Sequence, residues 1–398
     1  MSSVATNHPA VRAAQARGDL DNRPVGLGTY LPLGAVVVAL CFVGAVMVLS
    51  ASSVQGLEDY GSTWGYFKRQ ILWLGAGTGA LLVTLRIDYR WWARLRIPLL
   101  VTAIVLLGAV LIPGVGLARN GSSRWLGTSG FAFQPSEVAK LALLVYVADL
   151  LARRRRRLHD SHAVLWPVLM IFGLVGGLIL LEPDLGTTIV AGAIVASLLW
   201  ISGVPLRWMI GLGLAGGTGA LVLGVAAGYR RARLLSFLDP WADPQNTGYQ
   251  IVQSLVGIGS GGATGVGLGA SRAKWGFLPN AHTDFIFAII AEETGLLGAL
   301  AVLTLFVAFG VLGVRAASMA PDLFGTLLAG GITTWIVVQA FVNIGAVIGV
   351  MPITGVPLPY VSFGGTSLVT MMATTGILLN IARQGRGEPH ATRSRKSS

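Results

Sequence analysis

Apolar runs of membrane-spanning length follow one another along this chain, separated by short polar segments. A helix needs about 20 apolar residues to cross the hydrocarbon layer. Ten runs approach that length: 30–50, 67–86, 97–113, 135–152, 164–181, 186–203, 207–228, 284–313, 323–349 and 364–382. Because the fifth and sixth would be too long for one helix, the polar turn Glu182-Pro-Asp-Leu-Gly186 must separate them. The pattern predicts an all-α polytopic membrane protein with about ten transmembrane helices.

Composition agrees with a lipid bilayer as the surroundings of this chain. Of 398 residues, 54% are hydrophobic and only 12% are charged, which is unlike a soluble domain. The net charge of +12 comes from basic residues beside the apolar runs and not from one basic stripe, so nucleic-acid binding is not expected. The single cysteine, Cys41, excludes an intramolecular disulfide and a metal site built on thiolates.

The distribution of Lys and Arg predicts how the helices are oriented. When residues 1–27 are taken as a disordered cytoplasmic tail, the cytoplasmic side receives most of the basic residues, as the positive-inside rule requires. Both termini are then cytoplasmic, with a basic tail at 386–398 and one transmembrane domain over 28–385. A large extracytoplasmic loop, 229–283, separates spans 7 and 8, and a short helix is predicted in it from Tyr249.

Three carboxylates mark the junction between this loop and the eighth span. Asp284 stands where the loop becomes a helix, and Glu292 and Glu293 follow about 12 Å further along the helix. Asp284 fits two interpretations: a cap for the unpaired N–H groups of the helix, or a carboxylate at a cavity mouth that takes a proton from a hydroxyl. Glu292 and Glu293 are expected to line or brace the cavity.

A second polar group opens the fourth span. Glu137 and Lys140 are three residues apart on a predicted helix, so their side chains can pair. The pair fits either an ionic link between helices or the charged wall of a polar cavity, where Lys140 would meet a phosphate-bearing ligand. Arg124 and Gln134 lie just upstream.

Three further segments break the apolar pattern. In the turn after the fifth span, Glu182 and Asp184 offer too few oxygens for a convincing metal site, so Asp184 is expected to cap the next helix. The outer loop carries five cations that suit lipid headgroups or an anionic ligand such as a diphosphate: Arg230, Arg231, Arg233, Arg272 and Lys274. The Pro- and Gly-rich segment 352–367 cannot be an ordinary helix, so it must be buried in protein or line a wet cavity.

From the residues alone, the chain is a helical membrane protein with a charged cavity that opens outward. Two classes of protein fit this description. One is a transporter of an anionic or amphiphilic solute, and the other is a membrane enzyme that acts on a lipid-linked substrate.

Several long motifs resemble the SEDS family (shape, elongation, division and sporulation proteins). They are Arg124-Trp-Leu-Gly, Gln134-Pro-Ser-Glu-Val-Ala-Lys140, Pro183-Asp-Leu-Gly-Thr187, Ser236-Phe-Leu-Asp-Pro-Trp-Ala-Asp-Pro244, Leu278-Pro-Asn-Ala-His-Thr-Asp-Phe-Ile-Phe-Ala288 and Pro357-Leu-Pro-Tyr-Val-Ser-Phe-Gly-Gly-Thr-Ser367. They occur in family order over about residues 30–385. Two small departures are Glu182, where many members have Gln, and Thr294, where Leu is common.

The resemblance implies a peptidoglycan glycosyltransferase that polymerises lipid II at the outer face of the cytoplasmic membrane. Asp284 matches the essential aspartate of the family and would be the general base. The residues expected to bind substrate are Arg124, Gln134, Glu137, Lys140, Arg233, Arg272, Lys274, His282 and Ser362. A divalent cation, Mg²⁺ or Mn²⁺, is left open as a further contributor, with no metal ligand assigned.

The family also implies partners and a cellular role. A class B penicillin-binding protein would supply the transpeptidase, together with other divisome proteins. The segments around Asp239 and Lys274 resemble division-type members more than elongation-type members, so septal wall synthesis is expected. The alternatives are a role in elongation and cell shape, or a lipid II flippase.

Overall fold

A computed structural model describes residues 27–119, 122–128, 132–226 and 237–385. Helices make up most of them. The α-helices are α1 (Leu27–Ala51), α2 (Ser53–Tyr60), α3 (Gly65–Arg86), α4 (Arg90–Val110), α5 (Pro135–Arg153), α6 (Leu165–Leu181), α7 (Leu185–Ser202), α8 (Leu206–Ala226), α9 (Tyr249–Gly261), α10 (Ile286–Ser318), α11 (Leu323–Val347) and α12 (Gly365–Gln384). A short 3₁₀ turn, Arg155–Arg157, follows α5.

A long helix lies at each of the ten predicted apolar runs. Among the described residues, six helices are long and apolar enough to cross a membrane: α1, α4, α7, α10, α11 and α12. The apolar helix α6 is shorter, with 17 residues. The mainly helical membrane fold is therefore confirmed, while the number of ten spans and the orientation of the termini stay predictions.

The prediction of an all-α fold missed a small antiparallel sheet between α4 and α5. Its strands are β1 (Gly116–Arg119), β2 (Ser122–Gly127) and β3 (Ala132–Phe133), in the order β1-β2-β3. Leu117 pairs with Trp125, and Leu126 pairs with Phe133. Strands of two to six residues are too short to leave a clear alternating pattern in the sequence.

Two C-terminal helices lie at the centre of the bundle. Most of α11 and α12 is buried inside the protein, whereas α4 keeps most of its surface exposed. Helix α12 packs closely on α3, because Gly376 has no side chain to separate it from the backbone at Leu81. The Thr84 hydroxyl then donates to the Ala373 carbonyl across this contact at 2.8 Å.

Helix α10 is broken at Gly295, within the predicted eighth span. Gly295 has φ 68° and ψ −166°, a conformation that a residue with a Cβ rarely adopts. The break frees the carbonyls of Glu292 and Glu293, which accept the Val266 and Gly267 N–H groups at 3.0 Å each. The loop after α9 is thereby fixed against the N-terminal part of α10.

Candidate active site

Asp284 lies two residues before α10 and is held through its backbone. Three successive carbonyls each accept one hydrogen bond from the C-terminal part of the chain: His282 from the Phe363 N–H at 2.9 Å, Thr283 from the Ser362 hydroxyl at 2.5 Å and Asp284 from the Asn343 side-chain amide at 2.8 Å. Carbonyls just before a helix start lie outside its regular ladder and need such partners. The position of Asp284 therefore depends on residues about 60 to 80 positions away.

Asp284 lies one residue before the N-cap position of α10. The N-cap position of α10 is Phe285, which makes no side-chain cap hydrogen bond. Asp284 is half-buried and lines a small cleft. The other residues that line the cleft are Phe285, Asn343, Ala346, Val347, Ile353, Thr354, Gly355 and Val356. Asp284 thus meets a concave surface built from α11 and the Pro- and Gly-rich segment.

Segment 353–356 forms one wall of the cleft, and this segment and the following Pro357 are anchored to α11. Asn343 donates to the Val356 carbonyl at 2.8 Å, and Gln339, one turn earlier, donates to the Pro357 carbonyl at 3.1 Å. Gly355 has φ +71°, and a Cβ placed there would lie 3.7 Å from Asp284 Oδ2. The wall is therefore irregular backbone held by two amide side chains, and it comes close to the Asp284 carboxylate without a side chain in between.

Gln339 also connects the cleft wall to the predicted Glu137–Lys140 pair. Lys140 Nζ lies 2.8 Å from Glu137 Oε1 and 3.0 Å from Gln339 Oε1, and it is fully buried. The Trp335 ring faces the same ammonium group at 4.8 Å. The predicted pairing is confirmed. Since Glu137, Gln339 and Trp335 surround Lys140, its charge is already compensated inside the protein.

Arg124 and Gln134 meet at the turn between α6 and α7. Arg124 donates to the carbonyls of Glu182, at 3.0 Å, and of Pro183, and it lies 3.8 Å from Asp184 Oδ2. Gln134 Nε2 lies 3.4 Å from the same oxygen. Asp184 accepts the Thr187 N–H at 3.0 Å, so its predicted role as the cap of α7 is confirmed. Both Arg124 and Gln134 are thus committed to this turn.

Glu182 occupies an unusual place in that turn. Only 1% of it is exposed, and neither carboxylate oxygen has a hydrogen-bond partner among the described residues. Burial, with a smaller effect of the nearby Asp184 charge, raises the pKa of Glu182 to about 8, against the opposing effect of Arg124. The carboxyl group is therefore mainly protonated at neutral pH.

The predicted cations of the large loop differ in their surroundings. Lys274 is buried, with Nζ 3.6 Å from Glu293 Oε1, and it also donates to the Gly269 carbonyl at 2.5 Å. The Arg272 side chain is exposed. Arg230, Arg231 and Arg233 lie outside the described residues. Of the two loop cations that the structure describes, Arg272 is exposed and Lys274 is buried.

Glu292 and Glu293 bind the loop that leads to Asp284. The Arg272 N–H donates to Glu292 at 2.8 Å, and the Ser271 hydroxyl donates to the same carboxylate at 2.5 Å. The Ser50 hydroxyl at the end of α1 donates to Glu293 at 2.6 Å. The two carboxylates therefore brace the loop against α10 and α1.

His282 precedes Asp284 by two residues, Ser362 donates to the Thr283 carbonyl, and both side chains are buried. The His282 ring is 4.5 Å from the Tyr66 ring, and burial lowers the pKa of this histidine to about 4. His282 is therefore neutral at physiological pH. Ser362 accepts the Leu358 N–H at 2.8 Å while it donates to Thr283, so its hydroxyl is committed to backbone.

The comparisons with known proteins agree on one family. The model of the cell cycle protein family of FtsW, RodA and SpoVE matches residues 32–387. The chain belongs to this family. It is 40% identical to the probable peptidoglycan glycosyltransferase FtsW of Geobacter metallireducens, over 89% of this chain and 94% of that protein. It is 44% identical to the protein of the same name in Mycobacterium tuberculosis, over 90% of this chain and 68% of that protein.

A solved structure shares the fold of this FtsW/RodA/SpoVE family member. It is a chain from a study of the structural coordination of polymerization and crosslinking by a peptidoglycan synthase complex, with 30% identity and a TM-score of 0.74. The match covers 88% of this chain and 97% of that one. The predicted resemblance to the SEDS family is confirmed, and with it a multi-pass membrane protein.

Sequence reasoning missed the amides that hold the site. Gln339 and Asn343 are buried polar residues four positions apart within α11. A polar pair at this spacing inside an apolar run lies on one face of a helix, and in a membrane helix it marks a functional or packing contact. That signal was present in the sequence, but the carbonyls that the two amides bind could not be read from it.

The described residues offer no evident site for a divalent cation. They contain no group of three or more His, Cys, Asp or Glu side chains placed to hold a metal ion. Two of the buried glutamates, Glu137 and Glu293, are instead paired with Lys140 and Lys274. No chemical step is therefore assigned to a metal.

Proposed function

We propose that this chain is a peptidoglycan glycosyltransferase that polymerises lipid II, with Asp284 as its general base. Its curated relatives carry the name of that activity, in agreement with the predicted class of enzyme. The observation that supports the role of Asp284 is its place in the cleft, with its backbone fixed by α11 and its carboxylate beside Gly355.

The reaction needs one base and a leaving group that is already activated. Asp284 accepts the proton of the 4-hydroxyl of the acceptor GlcNAc while that oxygen attacks the anomeric carbon of the donor MurNAc. The bond from that carbon to the diphosphate oxygen breaks, and undecaprenyl diphosphate leaves with the bonding electrons. Such a displacement inverts the anomeric carbon and requires a single carboxylate, which agrees with one aspartate in the cleft.

Negative charge that develops on the diphosphate must be stabilised by cations. Arg272, which is exposed, suits this role better than Lys140 and Lys274, which already neutralise glutamates in the interior. Arg233 is retained as a second candidate on the basis of sequence. The role of Arg124, Gln134, Glu137, Lys140 and Lys274 is then to hold the shape of the site around the substrate.

The proposed topology has ten spans, with both termini in the cytoplasm and Asp284 at the outer face. The ten long helices and the distribution of Lys and Arg support it. Lipid II assembled on the inner leaflet would then reach the site after it has crossed the membrane. The name shared by the relatives favours division and septal wall synthesis over elongation.

A transpeptidase partner completes the proposed function. The related solved chain comes from a synthase complex in which polymerization and crosslinking are coordinated. A class B penicillin-binding protein would supply the crosslinking activity for this chain, within a wider set of divisome proteins.

The decisive experiment compares wild type with Asp284→Ala, each purified with its penicillin-binding partner and supplied with lipid II. General-base catalysis contributes about 10²- to 10⁴-fold, so Asp284→Ala is expected to lose glycan polymer by at least 100-fold. Asp322→Ala is the matched control, because Asp322 is an aspartate that caps α11 through the Gly325 N–H at 2.8 Å. The control is expected to lose stability but keep polymerisation.

Other outcomes separate the remaining functions. Normal polymer from Asp284→Ala would refute the assignment of the base. Translocation of lipid II in sealed vesicles that contain only this chain, lost in the same variant, would instead identify a flippase. A pure scaffold would give no response in either assay.

A further inference from the structure

Asn343 has both of its amide hydrogens committed to backbone. It lies in the last two turns of α11 and is only 2% exposed. Its Nδ2 donates to the Asp284 carbonyl and to the Val356 carbonyl, at 2.8 Å each. Carbonyl oxygens only accept hydrogen bonds, so the NH₂ group of the amide must point toward both of them. This fixes the orientation of the Asn343 side chain.

These two carbonyls belong to two different segments of the chain, and each segment forms a wall of the cleft. Asp284 leads into α10, while Val356 belongs to the segment that passes Gly355 close to the Asp284 carboxylate. One planar amide therefore sets the separation of the two walls. Gln339 donates to the neighbouring Pro357 carbonyl and accepts from Lys140 and Trp335, so of these two amides Asn343 is the one that connects both walls.

The other end of the amide points to a ligand. Among the described residues that line the cleft, Asn343 Oδ1 is the one buried side-chain atom without a hydrogen-bond partner. A buried acceptor left unsatisfied is costly, and native structures rarely keep one without a reason. A hydroxyl or N–H group of a sugar that enters the cleft would supply the missing donor.

We infer that Asn343 is a positioning residue for Asp284, which clamps the two walls of the cleft and offers Oδ1 to a donor group of the sugar acceptor. This inference rests on the proposed polymerase function. The amide acts on Asp284 through its backbone, so it carries no proton in the reaction. Its contribution lies in the placement of the carboxylate, and displacement of a reacting group by about 1 Å can cost about 100-fold in rate.

The test replaces Asn343 with a residue whose side chain can form a hydrogen bond within its own helix. In Asn343→Ser the hydroxyl can bond to the carbonyl one turn earlier in α11, so no new buried donor is left unpaired. Both bonds to the cleft walls are lost. The complex with the penicillin-binding partner is assayed for kcat and KM with lipid II, and its melting temperature is measured alongside.

Asn380→Ser is the matched control. Asn380 is also fully buried in a central helix and donates to a backbone carbonyl, that of Leu85, at 2.7 Å. It accepts the Tyr89 N–H, and Tyr89 also bonds to Asp322 just before α11. Asn343 is 21 residues from Asp322, or about 30 Å along the helix. The control therefore reproduces the loss of a buried amide far from the cleft.

We expect Asn343→Ser to lower kcat by about 10- to 100-fold with KM changed less than about threefold, and Asn380→Ser to keep kcat within about threefold. Asn343→Gln retains the amide and is expected to keep more kcat than Asn343→Ser. Equal kcat in the two serine variants, or the reverse order of Gln and Ser, would overturn the inference. If wild type makes no polymer, the proposed polymerase function itself fails. If Asp284→Ala still polymerises, the assignment of the base fails and the positioning role fails with it. If Asp284→Ala is inactive while Asn343→Ser is fully active, only the positioning role fails.

Discussion

Replacement of Glu182 by Gln should make the protein more stable at alkaline pH and leave it unchanged in acid. Glu182 is buried in the turn between α6 and α7, and neither of its oxygens has a partner among the residues described. Its pKa rises from 4.5 to about 8, chiefly through burial. Glutamine has nearly the shape of the protonated acid and cannot ionise, so it preserves the packing and removes the titration.

The direction of this pH effect follows from the number of protons bound in the folded and in the unfolded state. Between pH 4.5 and 8 the unfolded chain has an ionised Glu182 while the folded protein keeps it protonated, so the folded state binds more protons. Stability contributed by this group is thus fully present below pH 4.5 and is lost as the pH rises toward 8. The difference in pKa corresponds to an upper bound on the order of 5 kcal/mol at 1.36 kcal/mol for each pKa unit. Local relaxation and water penetration reduce such penalties, so about 2 to 4 kcal/mol is expected.

The assay is thermal unfolding of the purified protein in detergent at pH 5, 7 and 8.5. Wild type should lose melting temperature across this series, and Glu182→Gln should lose less, with the two proteins closest at pH 5. Asp243→Asn provides the control, since Asp243 is half-buried and hydrogen bonds from Thr247 and Asn246 lower its pKa. It should give no gain at pH 8.5.

Two results would refute this reasoning. If Glu182→Gln follows wild type at every pH, the carboxyl group is hydrated and its ordinary pKa is retained. If Glu182→Gln is instead less stable than wild type at pH 8.5, the carboxylate is ionised in the folded protein and paired with Arg124, which lies against the same turn.

Substitutions at the Lys274–Glu293 pair and at two glycines test the anchoring of the loop before Asp284. Lys274→Met should destabilise the protein by about 3 to 5 kcal/mol, because it leaves Glu293 buried without its partner cation. The double variant Lys274→Met with Glu293→Gln should recover part of this loss in thermal unfolding. Equal losses in the single and double variants would show that the pair is not coupled. Gly265→Ala should cost more than about 2 kcal/mol, since its φ is +82° and a Cβ would overlap the Glu293 carbonyl. Gly269→Ala, with φ +80° and open space around it, should cost only about 1 kcal/mol of backbone strain; similar melting temperatures for the two would argue against a tightly docked loop.

The apolar pattern located the long helices because helix length is imposed by the thickness of the bilayer. It also predicted the helix from Tyr249, which the structure places at Tyr249–Gly261. The break at Gly295 was not predicted, since it depends on a loop more than 20 residues earlier that supplies hydrogen bonds to the freed carbonyls. A glycine in an apolar run does not reveal such a partner.

The sequence was less informative about what each polar residue touches. The spacing of Glu137 and Lys140 predicted their pair, because three residues of helix fix that geometry. The partners of Arg124 and Ser362 are backbone carbonyls of distant segments, and no local rule could have named them. Their assignment to substrate stays a prediction, as does that of Arg272 and Arg233.

Neutral hydrogen-bond donors fix the backbone at and before Asp284. Asn343, Ser362 and the Phe363 N–H are neutral donors, and they bind backbone carbonyls, so they fix the aspartate without adding net charge beside it. The buried cations Lys140 and Lys274 each have a glutamate within 4 Å. Loss of a neutral donor to the backbone shifts the carboxylate without adding or removing a charge. Substitution of Asn343 should therefore change the rate mainly through geometry, while Glu182→Gln removes a charge at alkaline pH and preserves the geometry of its turn.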